Sequence, residues 1–222
     1  FSLVIPCYNE AANLPSVVGE HLLALHGLDF ELIIVDGGST DRTPELVWTD
    51  PHVKRVRLET NQGYGGGIIE GLRVATGKVV GFTCGDGQVE AKTTRSVLTS
   101  ASNFYFSKAI RLHRADPWLR RVQSACYNEL FNAIFRFDTP DINAMPKAWR
   151  RDKIAMPESR DWFIDVELLI KAKATGMGVL GFYTTARPRL SGRSSTRWFT
   201  GFGYLWNAIT MHFDGRYRRW TR

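Results

Sequence analysis

The chain has 222 residues, 44% of them hydrophobic and 12% aromatic, enough to bury one substantial core and too few for more than two small domains. Its three cysteines, Cys7, Cys84 and Cys126, are odd in number and far apart, which excludes a disulfide framework and a Cys-x-x-Cys zinc site and fits a reducing compartment. The net charge of +7 is local, because from Arg187 onward eight Arg stand against Asp214 alone while residues 1–186 sum to zero. A cationic tail on a neutral body suits attraction to phosphate or to an anionic surface at one place. No run approaches the ~20 apolar residues of a membrane span and no signal peptide is visible. The chain opens inside what reads as a strand, so an anchor outside these residues stays open.

In chain order, extended apolar runs alternate with helical stretches. Residues 3–5 read as a strand, and 12–25 as a helix with Leu14, Val17, Val18, Leu22 and Leu25 at helical spacing. Residues 32–35 form a second strand, after which Asp41 and Pro44 predict a helix with Asp41 at its N-cap. A third strand covers 53–58, a helix 66–76 is stopped by Gly77, and a fourth strand covers 79–83. Beyond residue 90 the pattern loosens to helices at 118–135 and 163–175 and a strand at 179–184. Repeated β-α-β of this kind predicts an α/β fold, an open, mostly parallel sheet flanked by helices, with the carboxyl ends of its strands along one rim. One domain is expected over 1–195, divided at about residue 90, followed by a basic, aromatic helical segment over 196–222.

Three turns fall on that rim. Pro6-Cys7-Tyr8-Asn9-Glu10 offers a rigid bend, an aromatic face and a carboxylate that together can hold a planar base, although a strand ending in a Pro turn has the same sequence. Asp36-Gly37-Gly38-Ser39-Thr40-Asp41 reads equally as a turn with a helix cap. Cys84-Gly85-Asp86-Gly87-Gln88 can direct two side-chain oxygens, from Asp86 and Gln88, at one hard cation such as Mg²⁺ or Mn²⁺. A nucleotide diphosphate would complete the shell of such an ion.

At these intervals the three turns resemble the family 2 glycosyltransferases of GT-A fold, and within them the dolichol-phosphate and polyprenyl-phosphate sugar synthases. The resemblance runs from Ser2 to about Ser195. It implies that Pro6, Tyr8 and Glu10, with Val35, Asp36 and Gly37, contact the nucleotide, and that Gly85, Asp86 and Gln88 form the diphosphate and metal group. On the acceptor side it implies that Arg111 at the end of Lys108-Ala109-Ile110-Arg111, Arg120 and Ser124 four apart on one helix, and Arg189 in Arg189-Leu190-Ser191-Gly192-Arg193-Ser194 hold the acceptor phosphate or the donor diphosphate. Arg suits this because its planar fork can bond two oxygens of one phosphate. The loop Asp141-Ile142-Asn143-Ala144-Met145 is given only a shaping role.

The sequence departs from the family's pattern at three places. Cys84 stands where many relatives carry a first Asp, Gly37 replaces the second residue of an Asp pair so that Asp36 can face into the fold, and Ser195 occupies a position that is often Lys. The implied activity is inverting transfer of a hexose from a GDP- or UDP-linked donor to a lipid phosphate such as dolichyl or polyprenyl phosphate, with Mg²⁺ or Mn²⁺. A phosphate monoester is anionic near neutrality and needs no general base. If the acceptor were a hydroxyl, Asp165 in Asp165-Val166-Glu167 is the candidate base, a helix-start role being the structural alternative for Asp165 and Glu167.

In the tail, Trp198, Phe202, Leu205, Trp206, Ile209 and Phe213 recur at helical spacing ahead of Arg216, Arg218, Arg219 and Arg222. Such a segment suits an interfacial helix on anionic lipid, and core packing accounts for the same stripe. The corresponding expectation is a cytoplasmic protein held peripherally on a membrane surface. Other classes fit less well. Gly63-Tyr64-Gly65-Gly66-Gly67-Ile68 follows the third strand and lacks the last glycine of a dinucleotide motif, and Gly77-Lys78 runs into Val79 where a P-loop needs Ser or Thr. A non-enzymatic RNA-binding module would use the basic, aromatic tail but leaves the rim turns unexplained, so no nucleic-acid partner is expected.

Overall fold

The structure, a computed structural model, describes residues 1–103, 105–112, 118–188 and 200–221, with the backbone alone for 118–120, 200–205 and 212. Seven strands form one open sheet: β1 (Ser2–Cys7), β2 (Glu31–Asp36), β3 (Val53–Arg57), β4 (Val79–Phe82), β5 (Phe106–Leu112), β6 (Lys147–Arg150) and β7 (Val179–Thr185). Their order is β3-β2-β1-β4-β6-β5-β7, and only β6 runs antiparallel to its neighbours. The helices are α1 (Leu14–Leu25), α2 (Gly63–Val74), α3 (Ala91–Ala101), α4 (Trp118–Phe135), α5 (Ile164–Ala174), α6 (Thr200–Phe213) and α7 (Arg216–Trp220).

Strands β1, β2 and β4 read as largely apolar runs because both faces are covered. Leu3, Ile5 and Cys7 of β1 and Leu32 and Ile34 of β2 pack with Leu14, Val17 and Val18 of α1 and Val97 and Leu98 of α3. Val4, Ile33 and Val35 between them face Ile68, Ile69 and Leu72 of α2 and the larger cluster around Phe131, Phe163, Ile164 and Leu168. Period-two alternation in the strands therefore feeds two cores at once, each fully buried aliphatic side chain contributing roughly 1.5–3 kcal/mol.

Several expectations need correction. The helix foreseen after Asp41 is a single 3₁₀ turn at Thr43–Glu45, and Asp41 serves it by accepting the Thr43 N–H at 2.9 Å. Helix α2 begins at Gly63, three residues ahead of its expected start. Helix α3 and strand β6 were not foreseen in the sequence at all. In α3 the buried face includes Thr93 and Thr94, and in β6 the first residue is a buried lysine, so neither reads as an apolar pattern.

The chain runs outward from β1 through β2 to β3, then returns to place β4 against the free side of β1. Strand order thus reverses between β1 and β4. In open α/β sheets the crevice outside the carboxyl ends at such a reversal is where ligands bind.

Candidate active site

The sheet brings the three foreseen turns together at that reversal. Cys7 pairs with Asp36 at the ends of β1 and β2, and the Thr83 N–H after β4 donates to the Val4 carbonyl at 3.0 Å. A Cβ placed on Gly85 would lie 3.4 Å from the Cys7 Cβ and 3.5 Å from the Pro6 carbonyl oxygen. The Gly37 N–H donates to the Cys7 carbonyl at 2.9 Å. Tyr8 stands at this junction 44% exposed, its ring available to a partner.

The first two turns are also stitched through side chains that the sequence reading did not assign. Asn9 adopts φ 58°, and its Oδ1 accepts the N–H groups of Thr40 at 2.8 Å and Asp41 at 3.2 Å. Asn is among the few residues that tolerate a left-handed backbone, which was the available signal. In return the Asn9 N–H donates to Ser39 Oγ and the Glu10 N–H to Thr43 Oγ1, both at 2.9 Å. Glu10 accepts from the Asn13 side chain, and its carbonyl takes the N–H groups that open α1. Pro6 is half-buried against α2, where a Cβ on Gly67 would approach its own Cβ to 3.1 Å. Val35, expected beside the nucleotide, is fully buried in the core beneath the rim, so its side chain supports the site from below.

Two carboxylates mark the floor. Asp36 is 1% exposed; its Oδ1 accepts the Ser39 N–H at 2.9 Å while Oδ2 is buried with no hydrogen-bond partner in the described structure. A buried carboxylate oxygen left this way is costly unless something else meets it. Asp86 is also buried, and its Oδ1 accepts the Gln88 N–H at 3.2 Å. Burial, followed by the Asp86 charge, pushes the Cys84 thiol well above its ordinary range, so it stays protonated and is a poor metal ligand. Gln88, expected on the metal, clasps the chain leaving β7: its Nε2 donates to the Arg187 carbonyl at 3.3 Å and its own carbonyl accepts the Arg187 N–H at 2.9 Å. Among the described residues no three His, Cys, Asp or Glu side chains cluster as metal ligands. The donor set therefore fits only an ion that uses a single carboxylate and takes its other ligands from phosphates and water, as Mg²⁺ commonly does.

The parallel sense of β5 carries Arg111 to the same rim, and the reversed sense of β6 brings Lys147 and the loop before it there as well. Arg111 Nε and Nη2 each donate to the Asp141 carboxylate at 2.8 Å, a two-toothed pair, with about a quarter of the Arg side chain exposed. Asp141, given only a shaping role from sequence, is thus the residue that orients Arg111. Its loop is seated by Asn128 on α4, whose Oδ1 accepts the Ile142 N–H at 3.0 Å. Ser124 is half-buried on α4. The Arg120 side chain, and Arg189 with the rest of its turn, lie outside the described residues.

Asp165 is not placed to act as a base. It is fully buried and receives a hydrogen bond from the equally buried Lys147. Burial raises its pKa and the Lys147 charge opposes that rise. Glu167, two residues further along α5, accepts the N–H groups of Glu158 and Ser159, each at 2.8 Å, while pairing with Lys171. Both acids belong to the first turn of α5, the structural alternative considered for them.

The glycine-rich stretch at 63–67 is explained by packing. A Cβ on Gly65 would come within 2.3 Å of the Ser159 carbonyl oxygen, and the Gly66 N–H donates to the Arg160 carbonyl at 2.9 Å. These glycines let the 158–161 segment lie directly on the start of α2. Tyr64 stacks on Trp162 with centroids 4.0 Å apart. In the tail, Ala208, Met211 and Trp220 are buried in the larger core, whereas Trp206, Ile209 and Phe213 on α6 are 68%, 47% and 86% exposed.

An open, mostly parallel seven-stranded sheet with its site at the β1/β4 reversal defines a GT-A architecture. The family model described as glycosyl transferase family 2 matches residues 2–155, and the chain belongs to that family. Among curated proteins, the chain is 31% identical over 222 residues to an undecaprenyl-phosphate 4-deoxy-4-formamido-L-arabinose transferase of Shewanella sediminis, covering 96% of this chain and 64% of that protein. It is 32% identical over 158 residues to the transferase of the same description from Pectobacterium carotovorum, covering 68% of this chain and 48% of that one. The chain thus spans less than two thirds of the length of these relatives. Among solved structures, glucosyl-3-phosphoglycerate synthase from Mycobacterium tuberculosis in complex with Mn²⁺, UDP and glucosyl-3-phosphoglycerate superposes with a TM-score of 0.75 at 18% identity, covering 94% of this chain and 78% of that one. A second structure of that synthase, in complex with Mg²⁺ and UDP, gives a TM-score of 0.71 at 16% identity.

Proposed function

We propose that the protein is an inverting glycosyltransferase that moves a sugar from a nucleoside diphosphate donor to a polyprenyl phosphate. The observation that carries this reading is the convergence of the turns at Pro6–Glu10, Asp36–Asp41 and Gly85–Gln88 on one crevice, with Asp36 Oδ2 buried there and lacking a hydrogen-bond partner in the described structure. The 31% and 32% identical relatives, both undecaprenyl-phosphate sugar transferases, support the lipid phosphate acceptor. Tyr8 offers a face for the base, Asp36 an acceptor for its N–H or hydroxyl groups, and Asp86 the carboxylate for a divalent ion. Bound there, Mg²⁺ or Mn²⁺ would offset charge on the departing diphosphate.

On the acceptor side Arg111, with Arg120, Ser124 and Arg189 as the family resemblance implies, meets phosphate oxygens. An acceptor phosphate carries its negative charge already, so it attacks the anomeric carbon in line and inverts it without giving up a proton to the protein. This agrees with the burial of Asp165, the best candidate base in the sequence, in the core. Donors positioned on developing charge are worth ~3 kcal/mol each in comparable sites.

The reading extends to a membrane surface. Among the described residues no helix is long and apolar enough to cross a membrane. The exposed Trp206, Ile209 and Phe213 face of α6, next to the exposed Arg218 and Arg219, suits peripheral contact with anionic lipid, with residues 1–195 as the catalytic unit. A thermal-shift screen of GDP- and UDP-sugars with Mn²⁺, followed by transfer to undecaprenyl phosphate in anionic vesicles, tests the whole. Stabilisation by one donor and sugar incorporation into lipid is the expected result. No stabilisation by any donor would overturn it, and vesicle binding that does not weaken with salt would remove the membrane part.

A further inference from the structure

Strand β5 carries two cations that reach one loop by different routes. Lys108 is fully buried, and its ammonium donates to the Ala109 carbonyl at 2.9 Å and to the Asp141 carbonyl. Asp141 in turn spends its carboxylate on Arg111, taking Nε and Nη2 at 2.8 Å and the main-chain N–H at 3.3 Å. One cation therefore fixes the loop by its backbone, and the loop aligns the other.

Among the described residues the charged groups facing Lys108 are Lys147 from β6, Asp165 from α5, Asp141 from the loop and Arg111 from β5 itself. With every one of these described members charged, cations outnumber carboxylates by three to two. In a weakly polar interior that surplus is felt at the rim above, where it favours an anion.

We propose that Lys108 is a positioning residue for the acceptor: by holding Asp141 it sets the geometry in which Arg111 meets the acceptor phosphate, and its proton is drawn in when that phosphate binds. The inference rests on the reading that Arg111 binds the acceptor. Burial, with Lys147 next, brings the Lys108 ammonium down to about 7 against the opposing pull of Asp141 and Asp165. A dianion arriving at Arg111 adds negative charge beside the cluster and favours protonated Lys108. Binding just above neutrality then takes up protons, and affinity falls as pH rises.

The test is calorimetric titration with farnesyl phosphate at about pH 8, where the phosphate is already dianionic, in buffers that differ in ionisation enthalpy. The wild-type protein is expected to take up a fraction of a proton on binding. Lys108→Arg keeps its charge and is expected to bind within about twofold of wild type with no uptake. Lys108→Met, which also releases the Asp141 carbonyl from its hydrogen bond, is expected to bind about tenfold more weakly, also with no uptake. A folded Lys108→Met with wild-type affinity, or proton uptake that persists in it, overturns the inference. If Lys108→Met does not fold, the wild-type measurement decides, and absence of uptake overturns it. Arg111→Ala separates the two levels: unchanged binding there removes the acceptor reading and this inference with it, whereas weakened binding beside a silent Lys108→Met removes this inference alone.

Discussion

Asn9 and Thr40 join the ends of two strands: the Asn9 side-chain oxygen accepts the Thr40 N–H at 2.8 Å from a left-handed backbone at φ 58°. The turns after β1 and β2 behave as one unit because of it. Asn9→Ala removes the acceptor and forces alanine into a conformation it disfavours, so a loss of about 1 kcal/mol in urea unfolding is expected. Nucleotide affinity is expected to fall with it. Asn9→Gly relieves the backbone but not the lost bond, and should lie between the two.

In the proposed reading Asp86, buried at the crevice, is the carboxylate that meets a divalent ion. Asp86→Ala is expected to abolish the Mn²⁺-dependent part of the stabilisation given by the sugar nucleotide, which for a ligand at a hundredfold its dissociation constant amounts to ~2.7 kcal/mol. Differential scanning fluorimetry with and without the metal reads it. A Mn²⁺ effect of unchanged size in the variant would take Asp86 out of the site.

Lys147 and Asp165 form an ion pair with both side chains fully buried. Lys147→Met strands the carboxylate, and a loss of about 3–5 kcal/mol is expected. Combining it with Asp165→Leu should recover most of that loss, since neither charge then needs compensation. Chemical denaturation of the two singles and the double measures the coupling; additive losses would contradict the pairing.

The part of this molecule legible in sequence is the part built from local patterns. Strands β1, β2 and β4 announce themselves because Leu3 to Cys7, Leu32 to Val35 and Val79 to Phe82 are buried on both faces. The rim turns were visible for the same reason, each being the punctuation after such a run. What could not be read is what depends on distant partners. Lys147 breaks the apolar signature of β6, yet in space it meets Asp165 from another element. Arg111 was visible as a cation, but Asp141, which orients it, lies 30 residues away. Gly63 to Gly67 look like an incomplete dinucleotide motif until the backbone of residues 159–161 is laid against them.

Glycines give a paired test of close packing. A Cβ on Gly71 would meet Val4 Cγ1 at 2.3 Å, whereas one on Gly19, also within a helix, meets nothing within 4 Å. Gly71→Ala is expected to cost about 1–3 kcal/mol by overpacking α2 on β1. Gly19→Ala is expected to stabilise by about 0.5–1 kcal/mol through helix propensity. Equal effects at the two sites would mean that α2 is not seated on the sheet as described.

Glu31 provides an acid-side check. Burial pushes its carboxyl up, but hydrogen bonds from Lys54, Ser2 and Thr76 outweigh that and hold it at about 2, against an ordinary value of 4.5. A depressed folded-state pKa contributes stability that is present above the unfolded value and lost as pH falls from about 4.5 towards about 2. The contribution is at most about 3 kcal/mol. Glu31→Gln should be less stable near neutrality and should flatten the acid limb of the stability profile over that window. An unaltered limb would place the linkage on other carboxylates.

Because β6 runs against its neighbours, it enters the sheet from the edge at which the others leave it. The wall that carries Asp141 is consequently assembled from a loop that arrives, residues 139–146, instead of from one that departs. Segments of different length can be spliced ahead of Lys147 without altering the register of β1 with β2. The architecture thereby lets the Arg111 side of the crevice be remodelled while the side built on β1 and β2 stays as it is.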